Sequence, residues 1–419
     1  VNATPIRPVF TAGAAALIIA LSSATHGAAA ATLTFGEAIR LALDHQPVLE
    51  AQEAAIRAAR EDAVAEGELP DPKLAVGLKD LPIEDHPAFT LDRDDFTMLA
   101  AELSQEFPRV EKRRLRGERG RLEAEAGEYE LSAMQREIRR DAGLSWLDLH
   151  YFERALEPTR ALAREYRTQR AATEIAVRTD RASQAELLGA AVEAALLEDR
   201  IRALQQARDR TRADLSRWIG AEAAEQPVAL MLPKLDPAPP LEEILAAIRE
   251  HPHLDGLERR VALARTEVAL AREAYKPDWR LNLTYGHRQA FADFIGVQAE
   301  IDLPWFTARR QDRRLAARLA EQTEAEARRE DILRRHFAEA RAYYADWRAA
   351  LERLAEFDRA VVPVAGERVD AARAAYAAGR GGFSEVLAAR RALLDAELLR
   401  LEQEVAVARA LVQLQFFTD

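Results

Sequence analysis

Cysteine is absent from the 419 residues. That excludes disulfide scaffolds, thiolate metal sites, cysteine nucleophiles and lipid attachment to an N-terminal cysteine. Lysine is scarce: among 59 Lys and Arg residues, only Lys73, Lys79, Lys112, Lys234 and Lys276 are lysines. Asp and Glu number 70, the formal net charge is −11, and no concentrated basic tract occurs. No nucleic-acid partner is therefore expected, because duplex binding draws its affinity from neutralising phosphates. Gly-rich phosphate loops, nucleophile elbows and HExxH are missing, so neither an enzyme nor a cofactor is expected. No metal site is expected either. His251-Pro252-His253 lies at a helix entry, the histidines at 45, 86, 150, 287 and 336 lack ligand spacing, and three Met cannot form a thioether relay. Gly and Pro, 18 each, are clustered. Between them run long stretches of Ala, Leu, Glu and Arg, the composition of long helices and coiled coils.

Long apolar runs are also missing, except near the N-terminus. Residues 1–31 carry one charge, Arg7, then an apolar run from Val9 to Leu21 and small residues Ala28 to Ala31. This pattern predicts a secretory signal peptide, since the run is shorter than the ~20 residues of a spanning helix. An exported chain without another such run crosses a membrane, if it does, as strands.

What is present is a duplication. Glu37-Ala38-Ile39, Ala42-Leu43, Pro47, Pro72, Leu74 and Leu78 match Glu242-Glu243-Ile244, Ala247-Ile248, Pro252, Pro277, Trp279 and Leu283 at one constant offset. At slightly smaller offsets, Phe107-Pro108 with Arg113-Arg114 matches Leu303-Pro304 with Arg309-Arg310, and Glu186-Leu187-Leu188 matches Glu385-Val386-Leu387. The order predicts a first repeat over 32–226: a helix, a β-hairpin 73–107, a long helix 109–178, a tip turn 179–183 and a helix 184–219. A linker 227–240 leads to a second repeat over 241–417, with a β-hairpin 279–303, a long helix 305–378, a tip turn 379–383 and a helix 384–415. Thr34 with Glu37 forms a capping-box pattern, and Pro240 suits a helix start. Apolar 4-3 spacing at Ile138, Ala142, Ser145, Leu149, Phe152 and Leu156 reads as a coiled-coil seam. The same spacing recurs at Leu333, Phe337, Ala340, Tyr344, Trp347, Leu351 and Leu354, and from Leu394 to Val412. Pro158 and Pro363 fall inside the long helices and are expected to bend or interrupt them.

The hairpins switch to period two. Trp279, Leu281, Leu283 and Tyr285 alternate with Arg280, Asn282, Thr284 and Gly286; Ile295, Val297, Ala299, Ile301 and Leu303 alternate with Gly296, Gln298, Glu300 and Asp302. Leu74, Val76, Leu78, Leu99, Ala101 and Leu103 repeat the pattern less cleanly. Alternation alone favours an ordinary soluble sheet packed on helices. Export, strands of about nine to eleven residues and an aromatic outward set at Trp279 and Tyr285 favour membrane strands instead. On that reading Trp279, Leu281, Leu283, Tyr285, Val297, Ala299 and Ile301 face lipid. Four strands cannot close a barrel, whose smallest forms have about eight, so the barrel is shared between subunits.

With these residues in order and in duplicate, the chain resembles the TolC family of outer-membrane efflux channels over about 33–417, closest in phrasing to the CusC/CzcC-like heavy-metal and multidrug members. The most specific pieces are Leu33-Thr34-Phe35-Gly36-Glu37-Ala38-Ile39 with Pro47, Phe107-Pro108, and the two turns, Arg178 to Leu188 and Tyr376 to Leu387. The resemblance implies a mainly α fold with a small β part. It is a TolC-like long antiparallel helical coiled-coil barrel with four transmembrane strands per protomer, contributing to a shared twelve-stranded barrel in a homotrimer. It also implies residence in the outer membrane, contact with its lipid, and a long periplasmic extension. The tips would dock a periplasmic adaptor and an inner-membrane pump of the RND type, exporting metal cations or small toxic compounds through a passive conduit.

In the family, a tyrosine before the tip glycine and an arginine after it bond an acidic residue of the other hairpin and hold the tip closed. Tyr376 and Glu186 match; the arginine position falls on Gly381, with Arg380 beside it, and Glu385 matches an acidic position near the constriction. Arg178, Thr179, Asp180, Arg181, Ser183, Gly379, Gly381, Gly382, Phe383 and Ser384 occupy the adaptor-facing tips. Glu186 and Glu385 are equally ordinary first-turn acids, and Ser183 and Ser384 equally ordinary caps. A different class stays open, an exported coiled-coil adaptor or scaffold without a pore, although its β domains would need more strands than the two hairpins supply.

Overall fold

The computed structural model describes residues 32–44, 46–84 and 88–418. The expected signal peptide, 1–31, lies outside them, as do His45 and His86. Helix α1 (Phe35–Asp44) opens with Thr34 Oγ1 accepting the Glu37 backbone N–H at 3.3 Å. Helix α2 (Pro47–Gly67) has Pro in its first turn, where a missing N–H costs nothing. Strands β1 (Lys73–Lys79) and β2 (Met98–Phe107) follow. Helix α3 (Val110–Arg178) then runs 69 residues, about 100 Å at 1.5 Å per residue. Helix α4 (Gln184–Ile219) returns alongside it, and a short α5 (Ala221–Ala224) ends the first repeat.

The second repeat has helices α6 (Leu241–Ile248) and α7 (Pro252–Glu273), then strands β3 (Trp279–His287) and β4 (Phe294–Ile301). The helix expected over 305–378 is divided. Trp305 and Phe306 precede a 3-10 turn (Thr307–Arg309), α8 spans Gln311–Glu356, a π-helical segment covers Phe357–Val361, and α9 covers Val362–Ala377. Pro363 sits in the first turn of α9, immediately after the π segment. Pro158, by contrast, lies inside an uninterrupted α3, so the interruption expected there does not occur. Helix α10 runs Phe383–Thr418, past the expected end at 415.

The four strands form one antiparallel sheet in the order β1-β2-β3-β4, the two hairpins joining along β2 and β3. The inner strands have 10 and 9 residues and the outer ones 7 and 8, shorter than the expected span. Each outer strand is paired on one side only, so its ladder ends earlier. Near the sheet α3 packs against α2 and α7; farther along it packs against α4 and α10, and α8 follows α7 and then α10. Each long helix is thus flanked by two shorter ones placed end to end.

Three apolar clusters hold the wall together. The first surrounds Leu33 and Trp146, whose Nε1 donates to the Leu33 carbonyl at 3.0 Å, and ties the N-terminal segment to the linker through Leu33 and Val228. The second joins α3, α4 and α10 through Leu156, Leu197 and Leu394. The third packs Ile244, Leu254 and Ala340 around Phe416 and Phe417. Seam residues Ile138, Ala142, Leu149 and Leu156 are buried, whereas Leu351 of the α8 seam is exposed.

Candidate functional site

The sheet register places all apolar alternates on one face. Leu74 pairs with Leu103, Leu103 with Leu283, and Leu283 with Val297; Val76, Ala101, Tyr285 and Ile295 form the next row. In an ordinary half-buried sheet this face would be covered. Here Val76 is 66%, Leu283 45% and Val297 71% exposed, and Trp279, Leu281, Tyr285, Ala299 and Ile301 are exposed with them. Burying such a band from water is worth roughly 25 cal/mol per Å2, which no described helix collects.

The opposite face is polar and small. Lys79 Nζ lies 3.0 Å from Glu102, Arg280 lies between Glu300 at 3.2 Å and Glu106 at 3.5 Å, and the buried Asn282 is next to Arg280 along the strand. The Phe294 ring lies over Gly286, where a Cβ would come within 2.2 Å of it, so any larger residue would have to push that ring aside. Aromatic residues gather at both ends of the apolar band. Toward the helices, Phe107 stacks on Trp279 at 4.3 Å, with Trp305 and Phe306 exposed nearby in sequence; at the far end are Tyr285 and, in the strand-connecting loops, Phe89 and Phe291. In membrane barrels, paired aromatic belts lie at the two bilayer interfaces. Among the described residues no helix is long and apolar enough to cross a membrane.

A clamp fixes the sheet on the helices. Asp278, just before β3, accepts from Lys112 Nζ at 2.7 Å and from the Arg109 backbone N–H at 2.9 Å, and Lys112 also donates to the Lys276 carbonyl at 2.9 Å. The alternation gave no hint of it, because the partners come from different repeats.

At the other end the two tip turns are built alike. Arg181 N–H donates to the Ala176 carbonyl at 2.8 Å, and Arg380 N–H to the Ala375 carbonyl at 2.9 Å. The residue before each has positive φ, 53° at Asp180 and 69° at Gly379, completing a helix-ending turn that favours Gly but admits Asp. Ser183 and Glu186 form a reciprocal capping box, Ser183 N–H donating to Glu186 Oε2 at 2.8 Å and Glu186 N–H to Ser183 Oγ at 3.2 Å. Ser384 is not a cap, since α10 already starts at Phe383.

Between the tips lies a groove of about 740 Å3 lined by Arg181, Glu186, Tyr376, Gly382, Phe383 and Ser384. The other expected tip residues, Arg178, Thr179, Asp180, Ser183, Gly379, Arg380, Gly381 and Glu385, do not line it. The Tyr376 and Phe383 rings meet at a tilt with centroids 5.2 Å apart, and Phe383 packs against the second apolar cluster rather than standing free. Among the described residues no hydrogen bond joins Tyr376 to Glu186. Sequence reasoning missed Tyr166, Glu193 and Arg391 in the groove wall. Tyr166, three steps beyond Leu156 on the continued α3 seam, has its hydroxyl pKa raised by burial and then by Glu193. Ion pairs Glu193–Arg391, Arg200–Asp395 and Glu165–Arg390 (2.6 Å) tie α10 to α4 and α3.

This pairing of a small sheet with long helical hairpins recurs in known structures. The outer membrane protein VceC of Vibrio cholerae is similar at a TM-score of 0.74 and 18% identity, covering 91% of this chain and 95% of that one. The fold is that of outer-membrane channel proteins. The CmeC outer membrane channel of Campylobacter jejuni is similar at 0.78 and 13% identity, over 91% of this chain and 85% of that one. CusC is similar at 0.72 and 16% identity over 91% of both chains, no nearer than the others, so the fold does not single out the CusC-like subgroup. No protein-family model matches the sequence, and no curated protein matches it.

Proposed function

We propose that the chain is the outer-membrane channel of a tripartite efflux system, a homotrimer in which three four-stranded sheets close one twelve-stranded barrel. The observation that carries this reading is the uncovered apolar face of a sheet whose two outer edges are unpaired among the described residues. Strand β4 of one copy, antiparallel to β1 of the next, would continue the alternation and leave no edge in lipid. The exposed α8 seam at Leu351 gives the helices an apolar surface for the same neighbour. Lys79, Glu102, Arg280 and Glu300 would then line a wet lumen.

A periplasmic adaptor would seat on the tips and an RND-type inner-membrane pump would supply the energy, the cargo being metal cations or small toxic compounds. Glu186, Tyr376, Arg380 and Glu385 would form the constriction. With the Glu186 carboxylate held by its own cap, closure falls chiefly to Tyr376 and to contacts between copies. Purified oligomer in planar bilayers should give discrete single-channel currents, and none from correctly assembled trimer would sink the channel reading. Tyr376→Phe combined with Glu186→Gln should raise the conductance severalfold; unchanged conductance would remove these residues from the gate while leaving the channel intact.

A further inference from the structure

Away from the sheet and the tips, the last turn of α10 is held by three histidines from α7 and α8. His251, at the N-terminus of α7, is 1% exposed. Its Nδ1 accepts the His253 backbone N–H at 3.2 Å, so the ring proton resides on Nε2, which donates to the Phe416 carbonyl at 3.0 Å. His336 is 6% exposed. Its Nδ1 lies 3.1 Å from the Glu339 carboxylate, which can only accept, so Nδ1 donates and Nε2 is left to accept from His253 Nδ1 at 3.2 Å. His251 packs on Phe416 at 4.8 Å and His336 on Phe417 at 5.4 Å, and both phenylalanines are buried. In both His251 and His336 the nitrogen that would take the next proton already receives an N–H.

We propose that this cluster is an acid-released strap: a proton on His251 Nδ1 sets its N–H against the His253 backbone N–H and frees the last turn of α10 from α7 and α8. The charged surroundings do not cancel this effect. Helix α3 presents Glu130, Arg136 and Arg140, the last with its guanidinium over the Phe416 ring at 4.7 Å. Helix α8 presents Arg335, Glu339 and Tyr343; Arg249, after α6, lies over Phe337; Leu411–Thr418 of α10 carries no titratable side chain. Desolvation outweighs the carboxylates and the Phe416 carbonyl, holding His251 at about 4, below its ordinary 6.5, and His253 is lowered as well. The released form therefore binds protons more readily between those values. The strap is complete above about pH 6.5, weakens as the pH falls toward about 4, and weakens no further below. His251 contributes up to about tenfold in the opening equilibrium per pH unit within the window.

The absence of cysteine makes a single spin label specific. On the full chain, a label at Thr418→Cys should be immobile at about pH 7.5 and gain at least about tenfold in its mobile fraction by about pH 4.5, while one at Glu397→Cys, in the middle of α10, stays unchanged. His251→Asn should remove most of the response, Asn keeping an acceptor for the His253 N–H. Should that variant fail to fold, His251→Gln in its place should shrink the response likewise, whereas His150→Gln should leave it whole. A Thr418 label immobile throughout, both labels loosening together, or a full response in either His251 variant would overturn the proposal.

Discussion

The two repeats meet the same problem, a proline inside a long helix, and solve it differently. Around Pro158, Ala155, Leu156, Thr159, Leu162 and Ala163 are all buried, and α4 and α10 pack against α3 nearby. Around Pro363 no residue of Phe357–Val361 is buried, Val364 is 61% exposed, and α9 packs chiefly against α10. Proline removes one backbone donor and pushes on the carbonyl a turn earlier, at a cost of about 3 kcal/mol relative to alanine. Where side chains on both sides fix the axis, the helix stays α and carries that cost. Where packing is one-sided, the backbone widens into a π turn. Local sequence therefore sets the stress, and tertiary packing decides whether the helix yields.

The largest test of this contrast is the packing itself. Trp146 is fully buried, meets Phe35 edge-on at 5.6 Å and donates to the Leu33 carbonyl. Trp146→Ala should cost about 3–5 kcal/mol in the denaturant midpoint of the detergent-solubilised protein, whereas Val364→Ala should change it by less than about 0.5 kcal/mol. Comparable losses at both positions would show that the α9 side is covered as fully as the α3 side.

A smaller test sits at the junction of sheet and helices. Asp278 holds Lys112 and the first turn of α3, and both side chains are largely buried. By the offset of the duplication, the first-repeat counterpart of Asp278 is Lys73, which is exposed. Asp278→Ala leaves a nearly buried ammonium without its carboxylate and should cost about 1–3 kcal/mol, read by urea unfolding. Lys73→Ala should be silent. Equal effects would mean that the clamp is matched on the first repeat by a contact made in the assembly.

The strands and their faces were legible because apolar and polar alternates obey period two over the whole register, from Leu74 through Leu103 and Leu283 to Val297. Turn chemistry made the tips legible: Gly379 and Asp180 are residues that tolerate positive φ, and Ser183 with Glu186 is a capping pattern. The groove between the tips was less so. Its Tyr166, Glu193 and Arg391 come from three helices and acquire meaning only when packed together. The pairing of His253 with His336 joins residues 83 apart in the chain, beyond any spacing rule. Phe383 matched the tip turn by position, but its ring gains more from Tyr376 and the adjoining cluster than from water. The π segment has no mark of its own, because Pro158 and Pro363 look alike until burial separates them.

The smallest expected effect separates those prolines most directly. Replacing Pro158 by alanine restores an N–H to bond the Arg154 carbonyl and relieves the crowding, recovering most of the intrinsic cost of about 3 kcal/mol. Against that gain stands the lost contact of a half-buried ring, about 1 kcal/mol, so Pro158→Ala should stabilise by about 1–2 kcal/mol. Pro363 lies in the first turn of α9, where the preceding π turn has already relaxed the backbone. Pro363→Ala should therefore shift the unfolding midpoint by less than about 0.5 kcal/mol. An equal gain at the two positions would mean that the π turn stores the same stress as the continuous α-helix, and that packing does not explain their difference.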